Sequence, residues 1–291
     1  MTTTITMDPV TRIEGHLKIK TEIQENVVID ARASADMFRG IEKALIGYDA
    51  RVAQQVTQRV CGVCPYAHAE ASSQALERAM GIKLNRNGQI LRNLISSAYQ
   101  LHDHLLHFYH LCALDFIDIT SILQYSGRDR TLNYLKDWVA AELKSDKIFP
   151  AAPFLPRYKG DYASDQALNV SAIKNYADAF PVMASLQKMV ALFGGKSPHT
   201  VAIEAGGVTT MPDVSNIAAY ATLLQQVEPF IRQNYLNDVL AVAGAFRSYF
   251  KEGVGYGNLL SFPQLPDADG ENPIFSSGVT LQGSYAPLDI Q

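Results

Sequence analysis

Two of the three cysteines in the chain, Cys61 and Cys64, stand three residues apart. Two thiolates at this spacing can bind one metal ion, because the turn between them brings both sulfurs to one side. A closed site of four cysteines cannot form, since Cys112 is the only other cysteine, but His68 keeps a mixed cysteine–histidine site open. The spacing therefore favours a metal site that these residues only partly complete.

Two other interpretations of the cysteine pair remain. Thiol–disulfide exchange is typical of a C-x-x-C motif that begins a helix after a central strand. Here the residues before Cys61 follow helical rather than strand spacing, which weakens that interpretation. A buried pair of thiols without chemistry is the third alternative.

Five of the seven histidines lie between residues 68 and 110, four of them in the run of residues 102–110. On an α-helix Asp103, His107 and His110 would share one face, with His104 beside it. An array of this kind is suited to proton transfer or to hydrogen bonding with metal ligands. A set of hydrogen-bonded core histidines is the alternative.

Two carboxylates, Glu14 and Glu42, are further candidate functional residues. Glu14 precedes Gly15 at the mouth of a predicted hairpin, and Glu42 begins a predicted helix. On the residues alone, Glu14 could pair with Arg12 on the surface, and Glu42 is an ordinary carboxylate of a first helical turn.

The elements that position these residues follow from the periodicity. Residues 17–23 alternate with period two, and after a polar turn residues 27–33 are rich in β-branched side chains, which together predict a β-hairpin. Helical spacing begins near residue 39. Helical windows are predicted at 39–60, 68–80, 89–124, 131–143, 165–193 and 215–250, and short strands at 279–281 and 285–287. The predicted fold is mainly α with a small N-terminal β-hairpin region, divided into a hairpin segment (1–35) and a helical core (36–291).

Composition excludes several classes of protein. The 291 residues are 47 % hydrophobic and 19 % charged, which is globular and rules out a disordered chain, a collagen and a coiled-coil rod. The net charge of −4, without a basic run, gives no reason to expect nucleic acid. The longest apolar stretches are shorter than the roughly 18–20 residues that span a bilayer.

Four segments together resemble a known family. They are residues 8–16 (DPVTRIEGH), 37–42 (MFRGIE), 59–64 (RVCGVC) followed by His68, and 102–109 (HDHLLHFY). In this order and spacing they resemble the N-terminal half of the large subunit of nickel–iron hydrogenases, in the uptake-type, membrane-associated branch. Residues 47–51 (GYDAR) depart from the Gly-Arg-Asp-Pro-Arg usual in that branch.

The resemblance implies a role for each matching residue. Cys61 would be a terminal nickel ligand, and Cys64 would bridge nickel to an iron that carries carbon monoxide and cyanide. His68 would donate a hydrogen bond to the bridging sulfur, and Asp103 would lie in the polar canopy above the metals. Glu14 would relay a proton.

The resemblance also implies an ion site and a reaction. Glu42 would bind magnesium or a similar divalent ion. The whole enzyme would interconvert H2 with two protons and two electrons.

Half of the family's nickel ligands are missing from the sequence. The family has a second C-x-x-C motif near its C-terminus, whereas no cysteine follows Cys112 here. Residues 284–291 look like the start of a strand, so we expect a split large subunit completed by a second polypeptide that carries a C-terminal C-x-x-C motif. The alternatives are a non-catalytic scaffold relative, or a truncated fragment of the same fold without a complete metal site.

The resemblance implies further partners and a location. Iron–sulfur clusters would reside on a small subunit, since three cysteines cannot supply the four thiolates of one cluster. A membrane cytochrome or quinone-linked protein would be a further partner. Large subunits of this branch are exported with their small subunit, which implies the periplasmic side of the membrane; the cytoplasm is the alternative.

Overall fold

The computed structural model describes residues 1–11, 13–155 and 160–287. The chain forms two compact units, Met1–Gly47 and Tyr48–Gln291. The first unit contains the predicted hairpin and also the short helix α1 (Ile41–Ala44). The predicted division of the chain into a hairpin segment (1–35) and a helical core (36–291) stays a prediction.

The first unit is a three-stranded antiparallel sheet in the order β1-β2-β3. Its strands are β1 (Thr2–Val10), β2 (Leu17–Gln24) and β3 (Val27–Ala35). Glu25 and Asn26 have φ angles of 53° and 62°, as a two-residue type I′ hairpin turn requires. The predicted hairpin is confirmed. Strand β1 was not predicted, although its run of threonines is rich in β-branched residues.

Short helical turns lead to the cysteine pair. Helix α2 (Ala53–Thr57) is flanked by 3-10 turns at Ala50–Val52 and Gln58–Val60. Helix α3 (Pro65–Met80) begins three residues earlier than predicted, because Pro65 fits the first turn, where its missing N–H costs no hydrogen bond. Gly81, with φ 67°, ends α3 as predicted.

Long helices build the core of the second unit. They are α4 (Arg86–Leu105), α5 (Arg130–Glu142), α6 (Gln166–Gly194), α7 (Val214–Phe230) and α8 (Leu236–Ala245). One apolar cluster joins α4, α6 and α7 around Ile95, Leu186 and Val190. A second cluster surrounds Ile122, Val139 and Ile173. The mainly α fold is confirmed.

Three predicted helical windows are interrupted. The window at 39–60 forms α1, α2 and 3-10 turns instead of one helix. The window at 89–124 changes to a π-helix at Leu106–Cys112 and ends in 3-10 turns at Ala113–Asp115 and Ile119–Gln124. The Asp118 carboxylate accepts the Thr120 N–H at 2.9 Å, which starts a new turn instead of continuing the helix. The window at 215–250 contains a π-helix at Ile231–Tyr235. This π-helix begins two residues after Pro229, which has no backbone N–H to donate to the helix.

Short strands complete the second unit. Strands β4 (Ile203–Glu204) and β5 (Gly207–Val208) form a hairpin, and β6 (Leu259–Ser261), β7 (Gly278–Leu281) and β8 (Ser284–Ala286) form a small sheet. The strand pieces predicted near 279–281 and 285–287 are thus present, while residues 288–291 lie outside the described part. Among the described residues, no helix is long and apolar enough to cross a membrane.

Candidate metal centre

The cysteine pair lies in a tight loop at the start of α3. Cys61 follows the 3-10 turn at Gln58–Val60, and Cys64 directly precedes Pro65. The Cys64 backbone N–H donates to the Cys61 sulfur at 3.2 Å. This hydrogen bond folds the loop so that both thiols lie on the same side, as the spacing predicts.

His68 joins the two thiols because it lies one helical turn after Cys64. The sulfurs of Cys61 and Cys64 and a ring nitrogen of His68 all lie within 4.8 Å of one another. The Thr57 hydroxyl donates to the His68 carbonyl oxygen at 3.3 Å, which ties α2 to this turn of α3. The structure therefore brings together the three residues that the sequence singled out.

The thiols lie in surroundings that disfavour a second negative charge. Burial raises the pKa of Cys64 to about 12, and the neighbouring Cys61 and the charge of Asp103 add to the rise. Two thiolates beside a carboxylate need a cation to offset their charge. A soft metal ion supplies that charge and accepts thiolate ligands, so the donor set fits one side of a nickel–iron site.

Helix α4 forms a wall beside the thiols. The Tyr99 ring stacks on Tyr66 with centroids 5.5 Å apart. Burial raises the pKa of Tyr99, and the charges of Asp103, Cys64 and Cys61 raise it further, which places all three close to this ring. Asp103 Oδ1 lies 3.0 Å from His102 Nδ1. Asp103 therefore acts electrostatically on the Cys64 thiol, and its place in a polar canopy above the metals stays a prediction.

The expected histidine face does not form. Asp103 faces the His102 ring, whereas His107 and His110 lie within the π-helix, whose wider turn breaks the α-helical spacing. His107 Nδ1 is 3.5 Å from the Cys112 sulfur, and the His110 ring packs 4.3 Å from Phe180. Burial lowers the pKa of His110. Both of its ring nitrogens lack a hydrogen-bond partner among the described residues, so it does not match the alternative of hydrogen-bonded core histidines.

His104 makes a separate contact in the same region. Its Nδ1 lies 3.4 Å from the Tyr235 hydroxyl, and the two rings are tilted with centroids 6.4 Å apart. The side chain is exposed rather than packed beside Asp103.

His199 was missed by the sequence analysis. Burial lowers the pKa of His199, as do the charges of Arg59 and Lys196, while hydrogen bonding to the backbone of Gln58 and Cys61 raises it. The ring therefore lies against the loop that carries Cys61. Only the pairing of two distant segments places it there, and no local pattern signals such a contact.

Glu14 and Glu42 belong to the first unit. Glu14 is exposed in a bend beside Gly15, whose φ of 95° favours glycine. Glu42 is exposed in the first turn of α1. Their roles in proton transfer and ion binding stay predictions.

The far ends of α3 and α4 hold a buried ion pair. Arg92, 1 % exposed, contacts Glu77, 6 % exposed, with an Nη2–Oε1 distance of 2.6 Å. Arg92 also donates to the carbonyl oxygens of Glu204 and Gly207, and the Gly206 N–H donates to Glu77 Oε1 at 2.8 Å. The pair therefore fixes the β4–β5 hairpin against both helices.

Comparisons with known proteins identify the family of the chain. Residues 39–290 match the family model described as nickel-dependent hydrogenase, and residues 4–34 match one described as HoxL-like. With most of its length matched, the chain belongs to the nickel-dependent hydrogenase family. The resemblance inferred from the four motifs is confirmed.

Relatives are hydrogenase large subunits. The periplasmic [NiFeSe] hydrogenase large subunit of Desulfomicrobium baculatum is 36 % identical, over 98 % of this chain and 52 % of its own length. The quinone-reactive Ni/Fe-hydrogenase large chain of Wolinella succinogenes is 35 % identical, over 99 % of this chain and 54 % of its own. The hydrogenase-2 large chain of Escherichia coli is 34 % identical, over 99 % and 56 %.

A solved structure shows the same fold. The Ni-Fe-Se hydrogenase from D. vulgaris Hildenborough superposes with a TM-score of 0.81 at 38 % identity, covering 99 % of this chain and 55 % of that one. The fold class predicted from the resemblance is confirmed. The chain spans about half the length of the curated relatives it matches.

Proposed function

We propose that these residues form the N-terminal half of a nickel–iron hydrogenase large subunit that acts in reversible H2 oxidation. The observation that carries the proposal is the cluster of Cys61, Cys64 and His68 within 4.8 Å, in a member of the nickel-dependent hydrogenase family. Cys61 and Cys64 are two of four cysteine ligands to the metals.

The chain's own groups bind the centre and handle its protons. When bound, the nickel–iron centre, with carbon monoxide and cyanide on iron, supplies the cleavage of H2. The sulfurs of Cys61 and Cys64 would hold the metals as thiolates, and His68 would donate a hydrogen bond to the Cys64 sulfur. Asp103 contributes a carboxylate above the site. Glu14 accepts a proton from a thiol and passes it on.

Other ligands and ions complete the assembly. Glu42 binds magnesium or a similar divalent ion. The remaining two thiolates come from a C-x-x-C motif outside these 291 residues, on a second polypeptide. Exposed apolar side chains support a covering partner, since Leu240, Val254 and Tyr256 are 70 %, 75 % and 97 % exposed.

Electrons leave through an iron–sulfur small subunit, followed by a membrane cytochrome or quinone-linked partner. The assembly lies on the periplasmic side of the membrane. Support comes from relatives named as a periplasmic large subunit and a quinone-reactive large chain.

Metal analysis and mass spectrometry of the native complex test the proposal. We expect nickel and iron, a small subunit, and a separate polypeptide that carries C-x-x-C. Nickel bound together with thiolates from a C-terminal extension of the same chain would keep the enzyme but exclude the split. Absence of both metals would favour the scaffold alternative.

Glu14→Gln tests the proton relay. The amide keeps the shape of the side chain but cannot carry a proton, so we expect isotope exchange between D2 and H2O to slow by about a hundredfold. Nickel content should be unchanged. Exchange at the wild-type rate would make Glu14 a structural residue.

A further inference from the structure

A cleft of about 1030 Å³ lies between α3 and α4 and beneath the loop of residues 262–273. The loop is held on α4, where the Asn93 side-chain amide donates to the Pro266 carbonyl oxygen at 2.5 Å and Gln100 donates to Gln264 at 3.2 Å. One water occupies about 30 Å³, so the cleft can hold a connected body of water. Asp103 lines it at the thiol end.

The α3 wall of this cleft is a row of polar side chains. Tyr66, Glu70 and Gln74 are four residues apart, so they share one face of the helix. All three line the cleft, and Gln74 Nε2 donates to Glu70 Oε1 at 3.3 Å. With a rise of 1.5 Å per residue, Glu70 lies about 9 Å along the helix axis from Cys64. The row therefore begins two residues after Cys64 and runs along the α3 wall of the cleft.

Helix α4 provides the opposite wall and runs antiparallel to this row. The Tyr66 hydroxyl donates to the Arg92 carbonyl oxygen at 3.1 Å, and the Tyr66 and Tyr99 rings stack. Asp103 follows Tyr99 by one turn and affects the Cys64 thiol electrostatically. Polar groups thus line the cleft from Asp103, which acts on the Cys64 thiol, to Glu70.

Glu70 is the carboxylate of this row that lacks a cation of its own. Among the described residues it makes no ion pair within 4 Å, and the nearby Arg92 guanidinium is bound to Glu77. Burial raises the pKa of Glu70, whereas the Tyr66 hydrogen bond, the Arg92 charge and the Gln74 hydrogen bond lower it, and Glu77 raises it further. These are the charged and polar groups that face it.

We propose that Glu70 passes protons between the thiol end of the cleft and bulk water, as a route additional to Glu14. A proton released at the thiol end crosses the cleft as hydronium; a Glu70 carboxylate oxygen takes it, which leaves neutral water and forms a carboxylic acid. Glu70 then gives the same proton to an outer water molecule, which becomes hydronium, and the carboxylate is restored. No electron moves and no bond to carbon changes. This inference deepens the proposed hydrogenase function and rests on it.

The test uses the nickel-containing complex with Glu14→Gln, Glu70→Gln, both together, and Glu70→Asp in the Glu14→Gln background. Glu228→Gln is the matched control, since Glu228 pairs with Arg232 on the exposed face of α7. We expect Glu70→Gln to lower the residual D2–H2O exchange of the Glu14→Gln complex by about tenfold, and Glu70→Asp to restore part of it. Nickel content should stay equal in all variants.

A second readout does not depend on turnover. Infrared difference spectra of the complex between mildly acidic and mildly alkaline pH should contain a carboxyl band that Glu70→Gln removes and Glu228→Gln keeps. A double variant that exchanges at the rate of Glu14→Gln alone would overturn the inference. So would the absence of residual exchange in Glu14→Gln, or an unchanged carboxyl band. A wild-type complex without nickel would instead refute the proposed function, and the infrared result would still decide whether Glu70 changes protonation.

Discussion

Helices α3 and α4 hold ionisable side chains at both ends of the cleft between them, and the two ends differ in how the charges are compensated. At one end Arg92 and Glu77 are buried together, with backbone groups of residues 204–207 taking their remaining hydrogen bonds. At the other end Cys61 and Cys64 lie side by side next to Asp103, and each neighbour disfavours ionisation of Cys64. At the first end the chain itself supplies the compensating positive charge, which is the Arg92 guanidinium.

The difference separates a structural site from a binding site within one pair of helices. Buried charges that only stabilise a fold are matched by partners in the chain, because an unpaired buried charge is costly. Acidic groups that lie close together without a compensating cation from the chain favour the binding of a cation such as a metal ion. The charges at the thiol end are therefore those expected of a metal site. The ion pair at the arginine end stabilises the packing of the β4–β5 hairpin on both helices.

The largest expected effect comes from the thiol end. Cys64→Ser should lose the nickel centre and all H2 uptake, because an alcohol cannot bridge soft metals as a thiolate does. Metal content and H2 uptake of the purified complex measure this. Cys112→Ser, outside the motif, is the control and should retain nickel. Full H2 uptake by the Cys64→Ser enzyme would refute the metal-site assignment.

The arginine end should respond in stability rather than in chemistry. Arg92→Leu leaves the Glu77 charge buried and unpaired, so the free energy of unfolding should fall by about 3–5 kcal/mol. Denaturant unfolding measures the loss. Replacing both Arg92 and Glu77 with leucine should recover much of it. Arg51→Leu breaks an exposed pair with Asp49 and should cost far less, because solvent screens an exposed ion pair. Equal losses for the two arginines would contradict the comparison.

A smaller effect is expected at Asp238, a buried carboxylate that is compensated by hydrogen bonds alone. It accepts hydrogen bonds at 2.8 Å from the Tyr109 hydroxyl and from Asn175. Burial raises the pKa of Asp238 and outweighs these bonds, so the folded state binds the proton more tightly than the unfolded state. Its stabilising contribution is present below the unfolded pKa of about 4 and is lost as the pH rises through the folded-state value.

Asp238→Asn should remove this pH dependence. Wild type should lose stability relative to the variant as the pH rises through the folded-state pKa of Asp238. Unfolding at several pH values measures the difference. Asp267→Asn is the control of opposite sign, because backbone hydrogen bonds lower the pKa of Asp267, whose contribution is lost as the pH falls. A constant difference between wild type and Asp238→Asn would contradict the prediction.

The sequence predicts local contacts better than distant ones. Cys61, Cys64 and His68 could be grouped in advance because one loop and one helical turn set their distances. The hairpin of β2 and β3 could be placed because alternation and turn residues are local signals. Four motifs in order were enough for the family and hence for the fold.

Contacts between residues that are distant in the sequence were not predicted. Arg92 reaches residues more than a hundred positions away, and His199 meets the Cys61 loop from an equally distant segment. The histidine face failed for another reason, since the prediction assumed α-helical spacing beyond Leu105. Helix propensity does not reveal where a π-turn begins, because α- and π-turns use nearly the same backbone angles.

That π-turn also determines which changes of length the chain can tolerate. A π-helical segment holds one residue more than an α-helix would over the same rise. It therefore accommodates one inserted residue within the helix, without forming a loop. Deleting one residue within Leu106–Cys112 would restore the regular ladder and rotate everything after it by about 100° relative to α4. The Tyr109 hydroxyl would then leave Asp238. Point substitutions are therefore better tolerated in this segment than any change in residue count, and alignments of relatives should keep it free of gaps.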